Sequence, residues 1–182
     1  MTLVMNEIRF KLMVVVCTAL LVFCPVRSFG QQTFGDFEGQ PATIEQFSNG
    51  EHWLVVVIWS FMCPICQKEL PAYANLAARQ ESGDFTVIGL SIDGHVGFGD
   101  AWALLEELGN DFESLIGEAD EVAEFYLSHS RQPFQGTPSI MIFNPSGIIV
   151  AFQAGLAPAN SIEAFIAQSS NLQQLSSELK QR

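Results

Sequence analysis

Residues 53–71 read WLVVVIWSFMCPICQKELP, and this stretch decides the fold. Its first nine residues are rich in Val, Ile and Trp without alternation, which is typical of a strand buried on both faces of a sheet. The apolar positions that follow keep helical spacing at Cys66, Leu70, Tyr73 and Ala77. Pro71 is expected to kink this helix because it removes a backbone hydrogen bond. The pattern predicts a central strand that leads into a helix at the cysteine pair.

The Cys63-Pro64-Ile65-Cys66 pair is the main chemical signal of the chain, and its two cysteines are the only ones after residue 30. A strand that delivers two thiols to the first turn of a helix is the layout of dithiol/disulfide exchange. The unpaired N–H groups and the positive end of the helix dipole favour a thiolate at Cys63. We therefore predict that Cys63 is the attacking nucleophile and Cys66 the resolving thiol.

The cysteines have two other interpretations, a structural disulfide and a zinc site. A structural disulfide that closes so short a loop would stabilise the fold little. A zinc site needs about four ligands, and the other soft ligands, His52, His95 and His129, are not in ligand spacing. We predict no metal and no bound cofactor beyond the redox-active disulfide itself. Asp93 and His95, after the second strand, are interpreted as loop residues rather than catalysts.

The rest of the chain alternates predicted strands and helices. Residues 31–52 predict a short hairpin followed by one helical turn. Asp100 is predicted to cap a helix that ends near Gly109. The other predicted elements are strands at 85–92, 139–143 and 148–152, a short apolar piece at 112–116, a helix at 119–126 that ends before a polar loop at 128–135, a hairpin turn at Asn144 to Gly147, and a closing helix around Ile162, Phe165 and Ile166 with a frayed or amphipathic extension from Ser169. This order predicts a mixed sheet covered on both faces.

The first 30 residues resemble a targeting segment. Arg9 and Lys11 precede an apolar run at 12–24, which is shorter than the about 20 residues of a transmembrane helix. Small residues at Ser28 and Gly30 fit signal-peptide cleavage before Gln31, and retention as an N-terminal membrane anchor is the alternative. Either outcome places the protein in the periplasm or on the outer face of the inner membrane, where an exchange-active dithiol needs a dedicated electron partner.

Composition bounds the classes of function. The chain has 182 residues and is 48% apolar, enough for one domain with a proper core at 31–182. Its net charge is −12, which becomes −14 without Glu7, Arg9, Lys11 and Arg27. So acidic a chain argues against nucleic acid or anionic lipid as the main partner.

Several motifs in the right order resemble the exported TlpA/ResA-like branch of the thioredoxin superfamily, over about residues 34–167. The matching positions are Trp59 four residues before the first cysteine, the string Cys63, Cys66, Glu69 and Pro71, the Thr137-Pro138 pair before a strand, and the hairpin at Asn144 to Gly147. The resemblance implies an α/β thioredoxin-like fold, with a central mixed sheet, helices on both faces, and a TlpA/ResA-type helix and strand inserted at about 100–116.

The resemblance also implies a set of site residues. Pro138 would be cis beside the cysteines and would expose the Thr137 backbone to an extended substrate segment. Glu69 would accept a proton near Cys66, since Val57 stands where thioredoxins proper carry a buried Asp. The predicted partner surface comprises Met62, Pro64 and Ile65, with Trp59 and Pro71 structural near the site.

The function implied by the resemblance is protein-disulfide reduction. Separately from the resemblance, a monomer is expected. Electrons would arrive from a membrane dithiol carrier and pass to protein disulfides, among them those of apocytochrome c awaiting haem. Three alternatives stay open at this point: an oxidant that forms disulfides, a binding module that acts without turnover, and a peroxiredoxin-like peroxidase. For the peroxidase, Ser60 and Val56 fill the slots of the Thr and Pro in its Pro-x-x-x-Thr-x-x-Cys string.

Overall fold

The apolar run before the cysteines forms the central strand of the sheet. In the computed structural model, which describes residues 32–48, 50–79, 84–109 and 112–180, this strand spans Trp53–Trp59 and every one of its side chains is buried. The predicted targeting segment at 1–30 lies outside the described residues. The central position predicted for this strand is confirmed.

Seven strands and four α-helices make up the described part of the chain. In order they are β1 (Thr33–Asp36), β2 (Pro41–Thr43), a 3-10 turn (Ile44–Phe47), β3 (Trp53–Trp59), α1 (Pro64–Ala78), β4 (Phe85–Ser91), α2 (Gly94–Leu108), β5 (Ser114–Ile116), α3 (Ala119–Ser130), β6 (Ser139–Phe143), β7 (Ile149–Ala154) and α4 (Ala159–Lys180). The predicted hairpin and helical turn at 31–52 are β1, β2 and the 3-10 turn.

The sheet has the strand order β2-β1-β5-β4-β3-β6-β7. Strands β3, β4 and β5 are parallel, with Trp59 opposite Ser91 and Ser91 opposite Ile116. Strands β6 and β1 run antiparallel to β3 and β5 respectively. The carboxyl ends of the three parallel strands therefore meet at one edge of the sheet, and the cysteines follow directly after one of them.

Helices cover both faces of this mixed sheet. On one face, α1, α2 and α4 pack on the buried β3 side chains that point to that face, among them Val55, Val57 and Trp59. On the other face α3 packs on Val56 and Ile58. Burial of the whole central strand between two apolar layers explains why its sequence shows no alternation.

The inserted helix begins seven residues earlier than predicted, with Asp93 rather than Asp100 at its N-cap. Asp100 was expected to cap it, but α2 starts at Gly94 and Asp100 lies inside it. The first turn is held by a distant residue, since the Glu118 carboxylate accepts a hydrogen bond of 2.9 Å from the His95 backbone N–H. A cap supplied by a residue 23 positions away leaves no local pattern, which is why the prediction was wrong.

Two other helix ends extend beyond the predicted limits. Helix α3 continues to Ser130, with the Ser128 and Ser130 hydroxyls donating to carbonyls of the helix itself, and ends at its C-cap Arg131, which is in the left-handed conformation. Helix α4 continues to Lys180, and the Trp53 indole N–H donates to the Ser170 hydroxyl at 2.9 Å. The extension is helical and exposes one row of leucines, Leu172, Leu175 and Leu179.

No helix within 32–48, 50–79, 84–109 or 112–180 is long and apolar enough to span a membrane.

Candidate active site

Strand β3 delivers Cys63 to the N-terminus of α1. Cys63 has extended backbone angles at the N-cap position, and Pro64 is the first helical residue, where its missing N–H costs nothing. The Cys66 backbone N–H donates to Cys63 Sγ over 3.1 Å. The Cys63 sulfur therefore occupies the place of the oxygen that usually caps a helix, facing the positive end of the dipole.

The two thiols differ sharply in exposure. Both are free in this structure; Cys63 is half-buried, whereas Cys66 is 1% exposed. A partner can therefore reach the first sulfur but not the second. This is the arrangement expected of a nucleophile and a resolving thiol, in the order predicted from the sequence.

The environment pushes the pKa values of the two thiols apart. Burial by itself would raise the pKa of Cys63, but hydrogen bonds to its sulfur from Cys66, Thr137 and the helix backbone outweigh burial and hold that pKa below its ordinary value. Burial, and then the hydrogen bond with Cys63, raise the pKa of Cys66 to about 12. As the pH rises, Cys63 therefore loses its proton before Cys66 does.

This asymmetry predicts selective alkylation. Iodoacetamide is expected to modify Cys63 well before Cys66, because only thiolates react and Cys66 is both protonated and buried. The alkylation rate of Cys63 should rise with pH and reach its plateau at a lower pH than the alkylation rate of an ordinary cysteine. Peptide mass spectrometry after timed quenching measures both rates; equal rates, or faster reaction at Cys66, would contradict the assigned roles.

The Thr137–Pro138 segment lies against the accessible sulfur. In its protonated form the Cys63 thiol donates to the Thr137 carbonyl oxygen at 3.4 Å, and the peptide bond to Pro138 is cis, as the resemblance implied. Around this contact Met62 is 74% and Ile65 52% exposed, and Pro64 is exposed as well. Of the predicted partner-binding residues, Met62, Pro64 and Ile65 are thus exposed beside Cys63, and Thr137 contacts its sulfur, whereas Pro138 itself is buried.

Glu69 is on the same helix but does not contact either cysteine by a hydrogen bond among the described residues. Its side chain is 23% exposed, with Oε1 3.8 Å from the Lys68 ammonium. Its charge is felt by Tyr73, whose pKa rises to about 12, mainly through burial and secondarily through that carboxylate. The predicted proton transfer from Cys66 would need a water molecule or a small movement of Glu69.

Trp59 and Pro71 occupy structural positions. The Trp59 ring is fully buried, and its indole N–H donates to the Ser114 hydroxyl at 2.9 Å, which joins β3 to β5. Helix α1 continues through Pro71 to Ala78. Val57 is fully buried in the strand, so no acidic side chain approaches the cysteines from that position.

Sequence reasoning missed the role of Asp93 in the site. Its carboxylate accepts hydrogen bonds from the Ser60 hydroxyl, from the Phe61 backbone N–H at 2.9 Å and from the Ser91 hydroxyl at 2.7 Å. The sequence signal is that Ser60 and Asp93 each follow a predicted strand, and the structure shows that these two strands are parallel neighbours. The interpretation of Asp93 as a simple loop residue was therefore incomplete.

Within the described ranges, no group of three or more His, Cys, Asp and Glu side chains is arranged to hold a metal ion.

The fold and the dithiol define a thioredoxin-like protein with a Cys-x-x-Cys pair at a helix N-terminus. The chain belongs to the AhpC/TSA family, which matches residues 24–152. No curated protein sequence is significantly similar to it.

Solved structures share this fold over about three quarters of the chain. The thioredoxin domain of a thiol-disulfide oxidoreductase from Bacteroides vulgatus is 25% identical, with a TM-score of 0.59 over 74% of this chain and 91% of that one. A thioredoxin-family thiol:disulfide interchange protein from Chlorobium tepidum has a TM-score of 0.62 at 14% identity, over 75% and 90%. A secreted disulfide oxidoreductase of Mycobacterium tuberculosis has a TM-score of 0.58 at 17% identity, over 76% and 96%.

Proposed function

We propose that this protein is a thiol-disulfide oxidoreductase that exchanges the Cys63/Cys66 dithiol with disulfides of protein substrates. The observation that carries the proposal is the asymmetry of the pair. Cys63 is accessible and has a lowered pKa, whereas Cys66 is buried with a pKa raised to about 12. An inert structural disulfide needs no such difference between its two sulfurs.

The exchange proceeds in two displacements. The Cys63 thiolate attacks one sulfur of the substrate disulfide, that S–S bond breaks, and the leaving sulfur takes up a proton. Cys66 then loses its proton and attacks Cys63 Sγ, which breaks the mixed disulfide and releases the second substrate sulfur as a thiol. The protein gives two electrons to the substrate and ends with a Cys63–Cys66 disulfide. One of the two protons that the substrate sulfurs take up balances the proton lost by Cys66, and the other comes from solvent.

The proposed direction is reduction of the substrate. A strong oxidant needs a strongly stabilised reduced form. Here hydrogen bonds favour the Cys63 thiolate, but burial opposes them, and the intervening Pro64 and Ile65 contribute no charge that would stabilise the reduced form further. These features support a pair that yields its electrons readily and is reduced again by a dithiol donor.

Two features support export and the choice of partners: the sequence of the first 30 residues and the similarity to known thioredoxin-like proteins. Residues 1–30 have the features of a leader or anchor, and the similar Mycobacterium tuberculosis protein is described as secreted. We place the protein in the periplasm or on the outer face of the inner membrane, with a membrane dithiol as its electron donor. Reduction of apocytochrome c is the substrate role that the TlpA/ResA resemblance implies.

The proposed substrates are protein segments in an extended conformation. A segment that pairs with the Thr137 backbone would bring its disulfide to Cys63 Sγ, which lies 3.4 Å from the Thr137 carbonyl. Met62 and Ile65, both more than half exposed, would contact apolar side chains on either side of the substrate cysteine.

A single-turnover assay tests the proposal. Fully reduced protein, freed of small thiols, is mixed with excess insulin, and the cysteines of both proteins are then trapped and counted. Each molecule of protein should generate two insulin thiols and one Cys63–Cys66 disulfide. Protein alkylated beforehand is the control, and unchanged insulin in both samples would favour the binding module instead.

Glu69 is proposed to accept the proton of Cys66 during the second displacement. Glu69→Gln is expected to slow resolution of the mixed disulfide by about tenfold near neutral pH, a typical contribution of a general base being 10²–10⁴-fold and water taking over part of it. Stopped-flow trapping measures the rate against pH. Glu124→Gln, an exposed change on α3, is the matched control, and a rate profile identical to wild type would remove Glu69 from the mechanism.

Peroxide reduction is the second candidate function, since the AhpC/TSA match favours it. The site offers little support, because the Ser60 hydroxyl donates to Asp93 rather than facing Cys63. We expect the reduced protein to consume hydrogen peroxide much more slowly than it reduces insulin. Peroxide consumption followed with a dithiol as the final reductant measures this, and a rate above the insulin rate would reverse the ranking.

A further inference from the structure

We propose that Asp93 is a positioning residue for dithiol exchange, which fixes the loop of residues 60–63 so that the Cys63 sulfur meets the N-terminus of α1. The proposal rests on the proposed function. It adds a residue that lies outside the Cys-x-x-Cys segment, at the start of the inserted helix α2.

Three donors converge on the Asp93 carboxylate, two from the loop after β3 and one from the end of β4. Oδ1 accepts from the Ser60 hydroxyl, and Oδ2 accepts from the Phe61 N–H at 2.9 Å and the Ser91 hydroxyl at 2.7 Å. Two of these donors belong to the loop that carries the cysteines. Hydrogen bonds to a charged group are stronger than neutral ones, so the carboxylate holds this loop firmly.

Asp93 makes these contacts instead of the helix-capping hydrogen bond that is expected from its position. It is the N-cap residue of α2, where an aspartate normally accepts from its own helix, yet its side chain makes no cap hydrogen bond. Glu118 accepts from the His95 N–H of that helix instead. The Asp93 carboxylate is therefore directed away from helix capping and toward the active-site loop.

Hydrogen bonds within the loop connect Asp93, through Ser60, to both cysteines. The Ser60 hydroxyl, held by Asp93, accepts from the Met62 N–H at 3.1 Å, and the Ser60 carbonyl accepts from the Cys63 N–H at 3.2 Å. A backbone hydrogen bond from Ser60 also acts on Cys66, in the direction that favours its thiolate. Displacing Ser60 would thus weaken a hydrogen bond that favours the Cys66 thiolate and would shift the Cys63 backbone, whose position sets the hydrogen bond from the Cys66 N–H to Cys63 Sγ.

The test uses Asp93→Ala and Asp93→Asn in the full chain, with Ser60→Ala as a variant of the loop side. Asp100→Asn, an exposed change on the same helix, controls for the loss of one negative charge. The readout is the pH profile of Cys63 alkylation, together with urea unfolding. Asp93→Ala should shift the midpoint upward by about one pH unit, the effect of about one lost hydrogen bond to a charged group.

The direction in which the pH midpoint of Cys63 alkylation shifts decides whether the proposal holds. Smaller upward shifts are expected for Asp93→Asn and Ser60→Ala, and none for Asp100→Asn. A midpoint that stays in place would overturn the proposal, and so would a downward shift, which is the result if Asp93 acts only through its charge. If Asp93→Ala does not fold, the alkylation midpoints of Asp93→Asn and Ser60→Ala test the proposal. The alkylation profile needs no substrate, so it tests Asp93 even if wild-type protein fails to reduce insulin.

Discussion

Cys63→Ser is expected to lower the rate of insulin-disulfide reduction to the uncatalysed background. The serine hydroxyl keeps the helix-capping geometry but is not a nucleophile at neutral pH, so the first displacement is lost. Insulin turbidity in the presence of dithiothreitol measures the loss. The fold should be intact, because the replaced sulfur is half-buried and the serine oxygen is itself a good cap.

Cys66→Ser is expected to stop the reaction one step later. Cys63 still attacks, but nothing expels the substrate, so a mixed disulfide through Cys63 accumulates in vivo. Non-reducing gels and peptide mapping identify it, and the double variant is the control that should trap nothing. Equal turnover by wild type and both single variants would contradict dithiol exchange and favour a binding module.

Trp59→Ala is expected to lower the free energy of unfolding by about 3–5 kcal/mol. The ring is fully buried between β3 and the helices, and its loss also leaves the Ser114 hydroxyl without its indole partner. Trp102→Ala removes the same atoms from a position that is 48% exposed on α2 and should cost about 1 kcal/mol or less. Urea unfolding of both variants makes the comparison, and equal losses would contradict the packing described here.

Most of the fold was predictable because its strands are strongly patterned. The run at Trp53–Trp59 is apolar throughout because both of its faces are buried, and Asn144 to Gly147 form a turn through local hydrogen bonds. The start of α2 was not predictable in the same way. Its first turn depends on Glu118, a contact that forms only after the chain has folded.

The site was predictable where chemistry follows from spacing along the chain. Cys63, Cys66 and the Thr137–Pro138 pair lie together, as their motifs implied. Asp93 was missed because its importance depends on which strands are neighbours, and the sequence alone does not give the pairing of β3 with β4. Glu69 was predictable only in part. Its position on helix α1 follows from the spacing along the chain, but its distance from the thiols depends on side-chain packing.

The reduction potential of the Cys63/Cys66 pair tests the central claim most directly. The purified protein is equilibrated in thiol/disulfide buffers, and free thiols are trapped and counted at each ratio. A single two-electron transition below about −220 mV, toward the thioredoxin value, is predicted for a reductase supplied by a membrane dithiol. A transition near about −120 mV would contradict the account, since the reduced form would then be the stabilised one and the protein an oxidant of its partners.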